Sequence, residues 1–185
     1  MRVIGIVTGL VVAAAAVSVA AAESAPLAPF QFKALTAAMS LNDAQAAGLV
    51  SACSAIDQER GAETWCGLSD KLKEGGVAGV KSRRSSLKFD DGGLTQFSWE
   101  MFRSDVPTVR VAFEQRYGKP CRTATAQLQN GYGATFPSEM ATWCFAEGDL
   151  ILMERSLNDP LNGEFLFVTH RHREDRANPK PTVNF

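Results

Sequence analysis

Histidine is almost missing from this chain: of 185 residues, only His170 and His172 carry an imidazole. Few other side chains change charge near neutral pH, so acid–base catalysis and histidine-rich metal sites have little to build on. The usual contexts of catalytic residues are missing as well. No serine sits in G-x-S-x-G, the strand-to-helix elbow that presents a nucleophile. No G-x-G-x-x-G occurs, and in KLKEGGVAGVKS (71–82) Val80 rather than glycine precedes Lys81-Ser82. A phosphate loop needs glycine there so that its amides converge on the anion. The four cysteines include no C-x-x-C pair, which argues against a zinc knuckle and a thioredoxin-like redox centre. An excess of either charge is lacking: 19 Lys and Arg face 20 Asp and Glu, a net charge of −1. KSRR (81–84) is the one dense basic cluster and reads as a solvated strand face, so nucleic acid is not an expected partner.

The chain opens with MRVIGIVTGLVVAAAAVSVAAAESAPLAPF. Arg2 supplies a positive start, an apolar Val- and Ala-rich run follows, and Ala20-Ala21-Ala22 fits the small-x-small cleavage rule. Residues 1–22 therefore read as an export leader cut before Glu23. The alternative is an uncleaved anchor, because about 18 apolar residues can span a bilayer; the polar, proline-containing ESAPLAP favours cleavage and no lasting membrane span. No cysteine near the cut offers a lipid attachment point. Residues 23–172 then form one exported domain, periplasmic or secreted, and the polar segment 173–185 with its two prolines reads as a loose tail.

Cys53, Cys66, Cys121 and Cys144 all fall in that exported part, where an even count implies disulfides. Four cysteines permit three pairings. Cys53–Cys66 with Cys121–Cys144 is preferred, because each bridge closes a short local loop; each contributes about 3 kcal/mol on the chain-entropy model.

Periodicity sketches the elements. SLNDAQAAGLVSAC (40–53) reads as a helix capped by Ser40 with Asp43 as its capping-box partner, and with Ala46, Leu49, Val50, Cys53 and Ile56 on one face. SSLKFDDGGLTQFSWEMF (85–102) reads as a hairpin in which Leu87 faces Phe97, which calls for a three-residue loop, Asp91-Gly92-Gly93. In SDVPTVRVAFEQRYGKP (104–120), Ser104 caps a helix whose buried stripe is Val106, Val109, Phe113 and Tyr117, ended by Gly118 and Pro120. Strands follow at 121–129, 139–146, 149–155 and 164–172, after a short first strand near 30–35. The fold class is α+β: a mostly antiparallel sheet of five or six strands, two main helices and two disulfides.

The last strands are apolar at both parities, as in ILM and FLFV, which implies cover on both faces. A part left uncovered would be a docking surface. The candidate binding residues are Trp143, Phe145, Phe165 and Phe167, with an edge strand as the other way in. His170 and His172 share a strand face about 6.5–7 Å apart, a spacing that can chelate zinc or copper with Glu174 or Asp175. They read first as a strand emerging into water, with metal binding as the alternative. An envelope hydrolase is a further alternative, but the pair Asp90-Asp91 sits in a turn that favours Asp for backbone reasons. Glu100 lies on a polar strand face within reach of Arg84 or Lys88.

FQFKALTAAMSLNDAQAAG, through Phe32-Lys33, Leu35, Met39-Ser40-Leu41 and Ala44, resembles the opening of many small exported bacterial domains. These include beta-lactamase-inhibitor-like domains and the small subunits of outer-membrane assembly. Ala38 stands where those carry glycine, and a helix between strand pairs replaces their two helices before three strands. FEQRYGKP (113–120) is similar to a helix end common in exported proteins with a "KYG-x-P" signature. The resemblance implies an exported α+β binding domain and transfers no functional residue. The expected function is a non-catalytic binding module without a cofactor, engaging an envelope protein or a small apolar ligand.

Overall fold

The structure is a computed structural model that describes residues 27–54, 63–90, 93–129, 133–156 and 159–170. The expectations for the leader, for the tail and for His172 lie outside those residues.

Among the described residues, ten strands and three α-helices follow one another as β1 (Gln31–Phe32), β2 (Leu35–Thr36), α1 (Leu41–Ala46), β3 (Val50–Cys53), β4 (Thr64–Leu68), α2 (Asp70–Lys73), β5 (Arg84–Asp90), β6 (Gly93–Phe102), α3 (Val106–Tyr117), β7 (Arg122–Gln129), β8 (Thr135–Cys144), β9 (Gly148–Met153) and β10 (Asn162–Thr169). β1 and β2 form a miniature hairpin. The other eight strands make one antiparallel sheet in the order β3-β4-β5-β6-β10-β9-β8-β7. Two four-stranded meanders thus lie side by side, and the last strand of each meets the other at the centre. α3 carries the chain from that centre to the far edge. The sheet is wider than the five or six strands expected from the sequence.

One missing strand explains part of that difference. Ser40 does cap α1, and both arms of its capping box with Asp43 are present. The helix does not run to Cys53, however. It stops at Ala46, the chain turns at Gly48 with φ +65°, and Val50–Cys53 pairs with β4. Val-Ser-Ala-Cys fits strand alternation as well as helical spacing. A left-handed glycine and a waiting partner strand decide between them.

The β5–β6 hairpin keeps the expected pairing of Leu87 with Phe97 by a different route. Asp90 pairs with Gly93, so only residues 91 and 92 lie between them, and an extra residue, Thr95, bulges out between the paired positions Leu94 and Gln96. The bulge restores the phase that a two-residue turn alone would lose. The Thr95 hydroxyl has the Lys88 carbonyl at 3.2 Å and Asp90 Oδ2 at 3.1 Å as the two acceptors that share its single proton.

α3 carries the anticipated stripe: Val106, Val109 and Phe113 are buried, and Tyr117 is half-buried. Its start differs from expectation. A 3-10 turn over Arg103–Asp105 leads in, Asp105 occupies the N-cap position without a side-chain bond, and Ser104 does not cap. Gly118, with φ +81°, ends the helix.

The core lies on one face of the sheet, beneath α3 and the N-terminal segment. Pairing carries Trp143, Leu150, Phe167, Phe97, Leu87, Cys66 and Cys53 across seven strands in one row. Phe30 stacks on Phe167 at 3.6 Å between ring centroids, and Phe32 lies against Phe97 at 4.8 Å. Phe113 of α3 meets Phe165 edge-on at 5.1 Å and Trp143 at 5.5 Å. Contacts of this kind add about 0.5–1.5 kcal/mol each beyond area burial. Both disulfides are formed as expected, Cys53–Cys66 and Cys121–Cys144. Each ties an outermost strand, or the residue that leads into it, to its neighbour.

Candidate functional site

The four rings expected at a binding face lie inside the core. Phe165 and Phe167 are 0% exposed, Trp143 2% and Phe145 4%. They fill the space between the sheet and α3, and Trp143 Nε1 donates to the Gly118 carbonyl at 2.8 Å, helping to close the end of that helix. None of them presents a ring to solvent. The apolar character at both parities of β9 and β10 has another meaning: these strands sit near the sheet centre, and their second-face residues Ile151 and Leu166 are half-buried while Met153 and Val168 are buried.

His170 lies just past the end of β10, and its Nε2 is 3.8 Å from Asp149 Oδ1. Asp149 is 2% exposed and also receives a hydrogen bond from Arg122, the first residue of β7. Among the described residues, no three His, Cys, Asp or Glu side chains are gathered so as to hold a metal ion.

The second face of the sheet carries a polar cluster at its middle. Glu100 of β6 and Glu164 of β10 are direct cross-strand partners, 5% and 6% exposed. Glu100 accepts from Asn162 Nδ2 at 2.8 Å and lies 3.8 Å from Arg84 Nε. Glu164 accepts from the Ser156 hydroxyl at 2.8 Å. Asn162 also donates to Asp159 at 2.8 Å and accepts from Arg83. These bonds secure the turn between β9 and β10, which is a structural task.

Two clefts flank α3. The larger, about 630 Å³, has an apolar floor of Val106, Pro107, Ala141 and Leu152 and a charged rim of Arg103, Arg110, Glu139 and Glu154. Arg103 Nε donates to Glu154 at 2.8 Å, and this hydrogen bond holds the Glu154 carboxyl below the usual range. Arg110 pairs with Glu114 at 3.1 Å and more loosely with Glu139 at 3.8 Å. The second cleft, about 310 Å³, shares Arg110 and Glu139 and reaches Thr123 and Thr125 of β7. Beyond Tyr117, whose hydroxyl donates to the Gln31 carbonyl at 2.8 Å and whose pKa is raised by partial burial, a third hollow adjoins the Cys121–Cys144 bridge.

The two edges of the sheet differ in kind. β3 has four residues, its register shifts between Val50 and Cys53, and a disulfide fastens it to β4. Those features blunt an edge against further pairing. β7 has eight residues, pairs with β8 without interruption from Arg122–Thr142 to Gln129–Thr135, and contains no proline. Its one charge is Arg122, and its other residues, TATAQLQ, are small or uncharged. Among the described residues no strand pairs with its outer side. In an antiparallel pair every second residue turns both N–H and C=O away from its neighbour, so about four donor–acceptor sets face outward along β7. Sequence reading placed a strand here but could not identify it as an edge, because sheet order is set by pairings far apart in the chain.

No family model, curated protein or solved structure matches this chain. No helix among the described residues is long and apolar enough to cross a membrane.

Proposed function

We propose that this protein is a non-catalytic, exported interaction module that binds another polypeptide by strand addition at β7. The observation that carries this reading is the contrast between the edges: β3 is short, irregular and stapled, whereas β7 is long, regular and nearly uncharged. Sheet proteins guard their edges against unwanted pairing, and an unguarded edge beside a guarded one is suited to taking a strand. In such a mode main-chain hydrogen bonds supply affinity and flanking pockets read alternate side chains. The cleft beside Thr123 and Thr125 provides such a pocket. The two disulfides suit an oxidising compartment.

A display library of extended seven-residue peptides, panned on the purified protein, tests the reading. Enriched peptides should slow amide exchange along β7 and lose binding to a Thr123→Lys/Gln127→Lys variant. Enriched peptides that protect some other segment and ignore those lysines would end it.

A second reading, capture of a small apolar ligand, is supported by the apolar floor of the 630 Å³ cleft. Titration with an environment-sensitive apolar dye, repeated on Leu152→Glu, separates it from the first.

A further inference from the structure

We propose that the strand received by β7 is β7 of a second copy of this chain, paired antiparallel about a twofold axis. The inference rests on the reading of β7 as an accepting edge. Among the described residues, the eight-stranded sheet of each chain has one open edge and one blunted edge. Isologous pairing uses both open edges at once and leaves two blunted β3 edges facing outward, so assembly stops at two. A chain with two open edges would add strands head to tail without closing.

The sequence of β7 is compatible with meeting itself. Directly opposed residues of an antiparallel pair share a face, so a twofold pair stays in phase only when the axis passes through a residue. With the axis at Thr125, that residue meets the partner's Thr125, Ala124 meets the partner's Ala126, Thr123 meets the partner's Gln127, and Arg122 meets the partner's Leu128. No like charges are opposed, because Arg122 is the one charged residue of the strand. Small residues face small residues, and the Thr and Gln pairs can exchange side-chain hydrogen bonds. Moving the axis to Ala126 preserves these properties. Glu139 lies one strand back, opposite Thr125 on β8. The two copies of this carboxylate are therefore about three strand spacings, roughly 14 Å, apart, where salt screens their repulsion.

Sedimentation velocity over a concentration series tests the proposal. The variants are Thr123→Lys/Gln127→Lys on β7, both at exposed positions, and Ala52→Lys on β3 as the control edge. The native chain and the Ala52→Lys variant should form dimers, and the double-lysine variant should dissociate about tenfold or more readily with its melting temperature unchanged. A native chain that stays monomeric at its highest attainable concentration, or a dimer indifferent to the two lysines, would overturn the proposal. Amide exchange with excess capped peptide RTATAQLQ separates the two ideas. A monomer whose β7 amides the peptide protects loses the twofold pair and keeps strand acceptance. β7 amides that exchange freely with the peptide present remove both.

Discussion

Glu100 and Glu164 stand directly opposite each other on the two central strands, each almost sealed from water. Opposed like charges weaken a strand pair, and burial strengthens their mutual repulsion. Asn162 and Ser156 hold one carboxylate each by hydrogen bonds that a neutral amide oxygen would also accept. Glu100→Gln should therefore stabilise the protein at pH 7 by about 0.5–1 kcal/mol, a rise of a few degrees in melting temperature. Thermal unfolding measures it, and a clear fall in melting temperature would mean that the loose Arg84 contact outweighs the repulsion.

The two buried tryptophans differ in one bond. Trp143 Nε1 donates to the Gly118 carbonyl at 2.8 Å, whereas Trp99 Nε1 is buried with no hydrogen-bond partner among the described residues. Replacing either by Phe removes a similar volume, but only Trp143→Phe strips a carbonyl of its donor at the end of α3. Trp143→Phe should cost about 1–2 kcal/mol more than Trp99→Phe in chemical denaturation. Equal costs would show that cavity formation governs both sites.

Local signals were legible where a single side chain decides the backbone. The Ser40–Asp43 capping box, the stop at Gly118, the Val106–Val109–Phe113 stripe and the Leu87–Phe97 pairing all follow from short-range rules. The Cys53–Cys66 and Cys121–Cys144 pairs follow from loop length. Legibility ended where distant partners compete. Val50–Cys53 suits a helix by spacing and becomes a strand because β4 is there to pair with it. Trp143, Phe145, Phe165 and Phe167 carry no mark saying whether a helix will cover them. The pairing of β6 with β10, which fixes both edges of the sheet and exposes β7, joins residues 60 to 72 positions apart.

Gly163 marks where the start of α3 rests on the sheet. A Cβ there would come within 2.1 Å of Val106 Cγ2. Gly163→Ala must push the first turn of the helix outward, and overpacking of this kind costs about 1–3 kcal/mol. Denaturant titration should show that loss, and the double variant Gly163→Ala/Val106→Ala should recover part of it. Failure of the second change to recover anything would place the strain elsewhere.

Acid should loosen the rim of the larger cleft. The Arg103 hydrogen bond holds the Glu154 pKa below its ordinary value of 4.5, against a smaller opposing effect of burial. A carboxyl whose folded pKa is depressed adds stability that is fully present above its unfolded pKa and disappears as pH falls through the folded value. The contribution should therefore be constant around neutral pH and be lost as the pH falls out of the ordinary carboxyl range and through the lower, folded value. Glu154→Gln should flatten that acid limb in a melting-temperature profile. Partial exposure of both partners keeps the effect small. A profile unchanged by the substitution would show that the pair adds nothing.

The two disulfides should differ in their response to reductant. Thiol–disulfide exchange requires the attacking thiolate to reach a sulfur in line. Cys66 is 2% exposed within the core row and its partner Cys53 is half-buried, whereas Cys121 is exposed just before β7 and its bridge lines an open hollow. Under native conditions a mild reductant should open Cys121–Cys144 first. Timed alkylation followed by mass spectrometry reads that order, and prior loss of Cys53–Cys66 would contradict it. Opening should act locally as well as globally. The bridge fastens the entrance of β7 across a sequence separation of 23 residues, and removing it costs about 3 kcal/mol on the chain-entropy model. Among the described residues β7 has a neighbouring strand on one side only, so much of that loss should appear as faster amide exchange along Arg122–Gln129, with the central strands β6 and β10 less affected. A Cys121→Ser/Cys144→Ser variant should therefore be a weaker strand acceptor even while the sheet remains folded.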